Sequence, residues 1–334
     1  MNKILLKNKI KYSLKNVLTG SDLSVRKLAM MSVESKNEGP IIWLTGCVHG
    51  DEVSGIIVIQ EIFKKLQKIG LAKGAIYAFP LMNPIGFETA SRSIMLTKED
   101  LNRSFPGSKN GTLAERIADT IFSTIAKTKP TLVIDLHNDW IKSISYTLID
   151  PNPGLKHRSA YEKTKDFALQ TGFTVIMEQE EDDLDGSDLK KSLSGSMLLH
   201  DIPSLTIELG GSYLLLEKDI HDGINSIFNL LAYLKMITIE NKDRFYDDDM
   251  SFELRNKILK YSQQPLCPKS GIIRFLVSPG QLVKKGESLA RIYNVFGKIQ
   301  ETLIAQHDGI ILGYSDSPVA LPGFPAISSG VIKK

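Results

Sequence analysis

The sequence predicts an α/β fold over residues 1–240 and a second, all-β domain over residues 241–334. Apolar runs rich in β-branched residues alternate with amphipathic helical patterns from residue 40 to residue 236, which indicates a mainly parallel sheet between layers of helices. After a charged linker at 241–249, short strands separated by Gly and Pro turns replace this alternation. We therefore expect two domains, with the boundary at residue 240.

The first elements are an edge hairpin, a buried strand and a helix. Polar and apolar residues alternate through residues 1–38, which predicts a hairpin or an arm at the edge of the sheet. The apolar run 41–46 predicts a strand. Apolar residues recur at helical spacing over 54–69 with lysines on the opposite side, so this segment predicts an amphipathic helix that ends at Gly70.

The remaining elements of the α/β region follow the same rules. The run 75–82 predicts a strand that ends at an Asn-Pro turn, and Thr112-x-x-Glu115 is a capping box that begins a helix. Further strands are predicted at 131–137, 146–150, 173–178 and 204–211, and a helix is predicted at 155–170. A long helix with one apolar face follows the last of these strands. The apolar residues of that last helix are Ile220, Ile224, Ile227, Phe228, Leu231 and Leu234.

The short strands of residues 271–313 have turns of the Gly-x-x-Val-x-x-Gly type, and this pattern resembles the lipoyl/biotinyl barrel-sandwich fold. Lys298 lies eleven residues before Gly309, close to where such domains carry a lipoylated lysine. However, its neighbours are Gly297 and Ile299 rather than acidic residues or methionine. We expect an unmodified domain that serves as a lid or an interface.

Charge and composition exclude several classes of function. Forty-one basic and 38 acidic residues give a formal charge of +3, which is too balanced to indicate nucleic acid or a membrane surface as a partner. Lysines interrupt the apolar pairs at the N-terminus, and no apolar run approaches the roughly 20 residues of a spanning helix. Cys47 and Cys267 are too few for a disulfide framework. We expect a cytoplasmic protein, with a homo-oligomer as one alternative for its assembly.

A histidine and a carboxylate follow the strand 41–46 on a glycine-flanked turn, as His49-x-x-Glu52. The strand 131–137 ends in a second histidine, His137. Catalytic zinc usually takes three protein ligands and leaves a fourth position for water. In α/β proteins, ligands bind at the edge of the sheet where the parallel strands have their carboxyl ends. The three side chains are therefore expected at one site, together with Glu208 at the end of a later strand.

Each residue also has a simpler interpretation. His49-x-x-Glu52 alone is often a surface pair, and His137 alone is often a core histidine bonded to backbone. Glu208 could be a buried carboxylate paired with a basic residue. Cys47, two residues before His49, is an alternative ligand or nucleophile. The combination of three ligands on matching strand ends favours a metal site over these alternatives.

Several motifs together resemble the succinylglutamate desuccinylase/aspartoacylase family of zinc hydrolases, within the carboxypeptidase A-like clan. The resemblance covers roughly residues 40–330 and implies a carboxypeptidase-like α/β/α sandwich with a mixed, mainly parallel sheet. The motifs are Gly46-x-x-His49-Gly-Asp-Glu52, Asn83-Pro84-x-Gly86-Phe87, Arg92, Asp100-Leu-Asn102-Arg103-x-Phe105-Pro106-Gly107, Asp135-Leu-His137 and Thr206-x-Glu208-x-Gly210.

The resemblance implies one Zn²⁺ per chain, with three ligands, His49, Glu52 and His137. It also implies that Glu208 is the general base and that Asn102 and Arg103 bind the substrate carboxylate. These roles agree with elementary chemistry, since a desolvated carboxylate near water can transfer protons and the guanidinium fork matches a carboxylate. The alternative for Arg103 is a surface ion pair with Asp100 or Glu99.

Two further residues are assigned by position. Arg92 is a candidate to stabilise the oxyanion that develops on the cleaved amide. Asp135, two residues before His137 on the same strand face, is a candidate to orient that histidine.

These observations predict a zinc-dependent hydrolase that cleaves the amide bond of a small N-acyl amino acid or related carboxylate. Its partner is thus a small-molecule N-acyl substrate. A metallocarboxypeptidase for short peptides is the nearer alternative, and a non-catalytic scaffold that retains the fold is the more distant one. The acidic segment 180–188 would either favour a cationic amine or form a solvated loop.

Overall fold

The computed structural model describes residues 8–20, 23–179, 189–238, 245–248 and 252–332. The first part contains strands β1 (Lys11–Thr19), β2 (Val25–Glu34) and β3 (Ile41–Gly46), helix α1 (Ser54–Ile69), strand β4 (Ala75–Phe79), helices α2 (Pro84–Glu88) and α3 (Leu113–Lys127), and strand β5 (Leu132–Asp139). The edge hairpin, the helix that ends before Gly70 and the strand at 132–139 agree with the sequence patterns.

The second part of the α/β region contains β6 (Lys142–Ser143), β7 (Tyr146–Ile149), α4 (Arg158–Ala168), β8 (Val175–Met177), α5 (Leu193–Leu198), β9 (Ser204–Gly211) and α6 (Glu217–Tyr233). The helix predicted at 155–170 is shorter than expected. Its first turn, Leu155–His157, is a separate 3-10 helix. The short helix α5 was not predicted. Ser192 caps it, since the Ser192 hydroxyl accepts a hydrogen bond from the Gly195 amide.

The C-terminal part contains only strands and one 3-10 turn among its described residues. The strands are β10 (Ile258–Ser262), β11 (Gly271–Phe275), β12 (Leu282–Val283), β13 (Ser288–Tyr293), β14 (Ile299–Ile304), β15 (Gly309–Tyr314), β16 (Val319–Ala320) and β17 (Ile327–Val331). The short strands expected here are therefore present.

One large sheet runs through both parts in the order β1-β2-β4-β3-β5-β9-β7-β8-β10-β17-β15-β12, and β6 pairs with β15. Strands β4, β3, β5 and β9 are mutually parallel, and so are β7, β8 and β10. Strand β7 runs antiparallel to β9. The sheet is thus mixed with a parallel centre, as predicted.

Helices cover both faces of the parallel centre. On one face, α1 and α6 pack over apolar side chains that include Leu44, Leu136 and Ile207. On the other face, α3 and α5 pack over Trp43 and Val133. This arrangement is an α/β/α sandwich. Its helices form where the sequence requires them: the Thr112 hydroxyl accepts from the Glu115 amide, and the Glu115 carboxylate accepts from the Thr112 amide, so the predicted capping box begins α3.

The C-terminal strands form a second layer against the end of the large sheet. A four-stranded antiparallel sheet, β14-β13-β11-β16, shares an apolar cluster with β12, β15 and β17. The predicted boundary at residue 240 lies in the segment 239–244, outside the described residues. Strand β10 pairs with β8, so the C-terminal part is joined to the central sheet by backbone hydrogen bonds. Lys298 lies in the turn between β13 and β14, where its amide donates to Asn294 Oδ1.

Within the described ranges, no helix combines the length and apolarity that crossing a membrane requires.

Candidate metal and substrate site

The turn that carries His49 is held by a close approach of two backbones. Strand β3 ends at Gly46, and the chain then turns so that Gly50 lies against the start of α2. A Cβ atom at Gly50 would lie 1.9 Å from the carbonyl carbon of Gly86, so only glycine fits there. Asn83 caps α2 by accepting from the Gly86 amide at 2.9 Å. The Asn-Pro motif therefore fixes the start of α2, against which the turn with His49 packs.

His49, Glu52 and His137 come together beyond the ends of β3 and β5. Glu52 Oε1 lies 2.6 Å from His49 Nδ1, and Glu52 Oε2 lies 2.9 Å from His137 Nδ1. One ligand atom from each residue lies within 4.8 Å of the other two, and all three side chains are buried. Two imidazoles and a carboxylate are the donor types that zinc takes in proteins.

Each histidine presents its second ring nitrogen to a carboxylate. His137 Nε2 lies 2.9 Å from Asp135 Oδ2, and His49 Nε2 lies 3.4 Å from Asp100 Oδ1. The hydrogen bond between His137 Nε2 and Asp135 favours the tautomer with its proton on Nε2, which leaves the Nδ1 lone pair for a metal. Asp135 is therefore in contact with His137, as its position on β5 suggested. His49 Nε2 has no hydrogen-bond partner among the described residues. Asp100 belongs to the motif at 100–107, and its contact with His49 was not predicted.

Glu52 and His137 each stabilise the charged form of the other. Burial opposes a charged Glu52, but His49 and His137 hold the pKa of its carboxyl well below the usual range. Burial also opposes a charged His137, yet Asp135 and Glu52 raise the pKa of that imidazole well above its usual value.

Arg92 lies at the mouth of the site. Its Nε and Nη2 atoms donate to Asp100 Oδ2 at 3.1 and 3.0 Å, and Nη1 lies 3.7 Å from Glu52 Oε1. The side chain is half-exposed. The ion pair places the guanidinium beside His49 and Glu52, with its outer edge toward solvent.

Asp100 also organises the Asn102-Arg103 turn. Its Oδ1 atom accepts from the Asn102 amide at 2.8 Å, which caps the 3-10 turn Leu101–Arg103. Asn102 is buried, and its Oδ1 accepts from the Leu193 amide at 2.9 Å, which ties the turn to the start of α5. Arg92 supplies the close ion pair to Asp100. The Arg103 guanidinium donates from Nη1 to the Asn102 carbonyl.

Glu208 lies on β9 directly opposite His137 on β5. Its side chain is buried, and its Oε2 atom has no hydrogen-bond partner among the described residues. Burial raises the pKa of this carboxyl well above its usual value, although His137 acts in the opposite direction. No basic residue among the described residues forms an ion pair with Glu208. The alternative that Glu208 is a buried carboxylate paired with a basic residue is therefore unsupported.

All seven residues selected from the sequence line one cavity of about 180 Å³. The cavity has further walls that sequence reasoning did not assign, namely Asn138, Asp139, Leu148, Asp150, Glu178, Leu189, Ser192, Ser194 and Thr206. Asn138 and Asp139 directly follow His137, and Asp150 follows β7, so their position after strands was the available signal. The segment 180–188 lies outside the described residues.

Asn138 locks the ends of three elements together. Its amide donates to Glu52 Oε2 at 3.2 Å, and its side-chain Nδ2 donates to the Leu209 carbonyl at 2.6 Å and to Ser54 Oγ at 3.0 Å. These bonds connect β5, β9 and the first residue of α1. The bond from the Asn138 amide fixes Glu52 Oε2, the oxygen that also contacts His137 Nδ1.

Cys47 is not part of the ligand group. Its side chain is buried, and burial, with Glu52 and Asp51 nearby, raises the pKa of the thiol to about 12. The described residues that can hold a metal together are His49, Glu52 and His137. The alternative of a Cys47 ligand is therefore unsupported.

The fold and the buried His-Glu-His group at its strand ends define a carboxypeptidase-like α/β protein with a candidate metal site. A metallo-carboxypeptidase from Burkholderia cenocepacia has a similar fold, with a TM-score of 0.51, 12% identity and coverage of 69% of this chain and 65% of that chain. A family model of the succinylglutamate desuccinylase/aspartoacylase catalytic domain matches residues 38–234. The chain belongs to the succinylglutamate desuccinylase/aspartoacylase family.

Relatives match over nearly the whole chain. N-alpha-acetyl-L-2,4-diaminobutyric acid deacetylase from Halomonas elongata is 26% identical over 291 residues, which cover 84% of this chain and 79% of that protein. The product-bound structure of the ectoine utilization protein EutE (DoeB) from Ruegeria pomeroyi has a TM-score of 0.79 at 18% identity, and covers 98% of this chain and 97% of that chain. The likeness therefore includes the C-terminal β domain.

Proposed function

We propose that this chain is a zinc-dependent hydrolase that cleaves the amide bond of a small N-acyl amino acid or related carboxylate. The observation that carries the proposal is that His49, Glu52, His137 and Glu208, all buried, line one cavity together with arginine side chains. The deacetylase from Halomonas elongata supports the same reaction class.

His49, Glu52 and His137 would hold one zinc ion through Nδ1, a carboxylate oxygen and Nδ1. Zinc in such a site supplies Lewis acidity, which lowers the pKa of water toward about 7 and polarises a carbonyl oxygen. The hydrogen bond between His137 and Asp135 fits this role, because metal-binding histidines usually donate their other N–H to a carboxylate.

Glu208 would transfer the protons of the reaction. Its carboxylate accepts a proton from water as the water oxygen bonds to the amide carbonyl carbon, and gives that proton to the amine nitrogen as the C–N bond breaks. The raised pKa supports this double role, since a more basic carboxylate accepts the first proton more readily. The products are a carboxylic acid and a free amine.

The arginines would handle the negative charges of the substrate. Arg92 would stabilise the carbonyl oxygen as negative charge develops on it, because its Nη1 atom lies within 3.7 Å of Glu52 at the ligand group. Arg103, with Asn102, would bind the substrate carboxylate through the planar guanidinium fork.

The C-terminal domain favours a small substrate over a long peptide. The Ile141 amide, two residues beyond cavity-lining Asp139, donates to Asp316 Oδ1 of this domain at 2.6 Å, and β6 pairs with β15. The domain thus contacts the loop beside the cavity, which supports the lid interpretation and argues against a peptidase.

The test combines metal content with substrate screening. We expect about one zinc per chain by elemental analysis, loss of that zinc in His49→Ala, and hydrolysis of Nα-acetyl amino acids that a chelator abolishes. A blocked tripeptide should remain intact. Absence of zinc after addition of excess zinc, or cleavage of the tripeptide alone, would contradict the proposal.

A further inference from the structure

The cavity extends from Glu208 along β9 and β7, away from the candidate metal ligands. In the antiparallel pair, Tyr146 lies opposite Glu208 and Leu148 lies opposite Thr206. Because side chains alternate between faces, Asp150 shares the face of these residues. From Tyr146 to Asp150 the chain covers four residues, roughly 13 Å at about 3.3 Å per residue. Asp150 and Glu208 therefore lie far apart along one elongated cavity.

Asp150 is an acidic residue that lines the cavity at a distance from Glu208. Its Oδ1 atom accepts from the Ser192 hydroxyl at 3.4 Å, and the Ser194 hydroxyl lies 3.3 Å from that of Ser192. Among the described residues, no lysine, arginine or histidine forms an ion pair with this carboxylate, and Arg103 acts on it only at longer range. Burial raises the pKa of Asp150 to about 6, against the effect of both hydroxyls. The carboxylate thus faces the cavity without a close cationic partner.

A second carboxylate lies beside Asp150. Strands β7 and β8 are parallel, with Ile149 opposite Met177, so Asp150 and Glu178 occupy the next positions on neighbouring strands. The Glu178 amide donates to the Ile149 carbonyl at 2.9 Å, which continues the pairing, and both acidic residues line the cavity.

The lining of the cavity carries both signs of charge. Arg92 lies beside the ligand group, with Nη1 3.7 Å from Glu52 Oε1. Arg103, Asp150 and Glu178 also line the cavity, and the Arg103 charge lowers the pKa of the Asp150 carboxyl. An amino acid whose carboxylate contacts Arg103 can direct its side chain along the cavity toward Asp150. The far end of that side chain would meet two carboxylates and two hydroxyls.

We propose that Asp150, with Glu178 and the hydroxyls of Ser192 and Ser194, binds an ammonium group at the end of the substrate side chain. The preferred substrates are then N-acyl derivatives of diamino acids. This inference rests on the proposed deacylase function, and it adds the residue that selects among substrates.

A purely structural role for Asp150 makes a different prediction. Ser192 caps α5, and Asp150 contacts that cap, so Asp150 could serve only to hold the helix. In that case Asp150→Asn would affect cationic and neutral substrates equally. The ratio of their rates separates the two roles.

The experiment compares Nα-acetyl-L-ornithine with Nα-acetyl-L-norleucine, which has a methyl group in place of the ammonium. We expect kcat/KM of the native protein to favour the ornithine compound by at least about tenfold, and Asp150→Asn to reduce that ratio by at least about tenfold. The matched control is Asp166→Asn on the exposed face of α4, which should keep the native ratio. An unchanged ratio in Asp150→Asn, or a native preference for norleucine, would overturn the inference.

Calorimetric binding of L-ornithine and L-norleucine separates this inference from the proposed function. Tighter binding of ornithine that is lost in Asp150→Asn supports the ammonium site even if neither acetyl compound is hydrolysed, an outcome that contradicts only the deacylase. Equal binding of both amino acids overturns the ammonium site even if both acetyl compounds are cleaved. If Asp150→Asn does not fold, Glu178→Gln serves as the second variant, with the same expected loss of preference.

Discussion

Replacement of Asp135 by asparagine should weaken zinc binding without unfolding the protein. Thr45 Oγ1 donates to Asp135 Oδ1 at 2.6 Å, and the other carboxylate oxygen faces His137 Nε2 at 2.9 Å. In the variant, the amide oxygen stays with the Thr45 hydroxyl and the NH₂ group faces His137. Two donors cannot share a hydrogen bond, so the imidazole proton moves to Nδ1, the atom that faces Glu52.

The size of the effect follows from this change of tautomer. Loss of an outer carboxylate partner typically lowers metal affinity by about 10- to 100-fold, or about 1.4 to 2.8 kcal/mol. We expect the upper part of this range because His137 and Asp135 are both buried, so water cannot replace the lost contact. The dissociation constant is measured by competition for zinc with a chromogenic chelator.

The control is Asp222→Asn, which removes a carboxylate that pairs with Lys218 at 3.0 Å on helix α6. This variant should keep the native zinc affinity. Circular dichroism verifies that both variants are folded. An Asp135→Asn protein that is folded and binds zinc with native affinity would refute the argument that Asp135 sets the His137 tautomer.

Three other changes have defined outcomes. Glu208→Gln should retain zinc by elemental analysis but lose at least about 100-fold in kcat, because an amide cannot accept the proton of water. Arg103→Lys should raise KM for the acetyl amino acid more than it lowers kcat in steady-state kinetics, since an ammonium cannot form the two parallel bonds of a guanidinium. Asp150→Asn should raise the melting temperature at pH 7 more than at pH 4. The folded pKa of about 6 exceeds that of the unfolded chain, so ionisation destabilises the native protein as pH rises from about 4 to 6, by up to about 3 kcal/mol.

Local patterns were sufficient for most of the elements. The capping box at Thr112 begins α3 because its hydrogen bonds lie within one turn, and helical spacing of apolar residues identified α1 and α6. The helix at 155–170 was predicted too long, because its amphipathic pattern continues through a 3-10 turn at its start. The pairing of β10 with β8 joins residues far apart in the sequence, and local patterns carry no information about it.

For the candidate site too, some features could be predicted from the sequence and others depend on the tertiary structure. The sequence determined which residues end the strands, and in a parallel sheet the carboxyl ends of neighbouring strands meet, so His49, Glu52, His137 and Glu208 could be assigned to one place. Only the tertiary structure decided the contact of Asp100 with His49 and the arrangement of Asp150 and Glu178 along the cavity. Those contacts depend on loop conformation and on the antiparallel register of β7 with β9, which are set by packing over the whole sheet rather than by the spacing of residues along the chain.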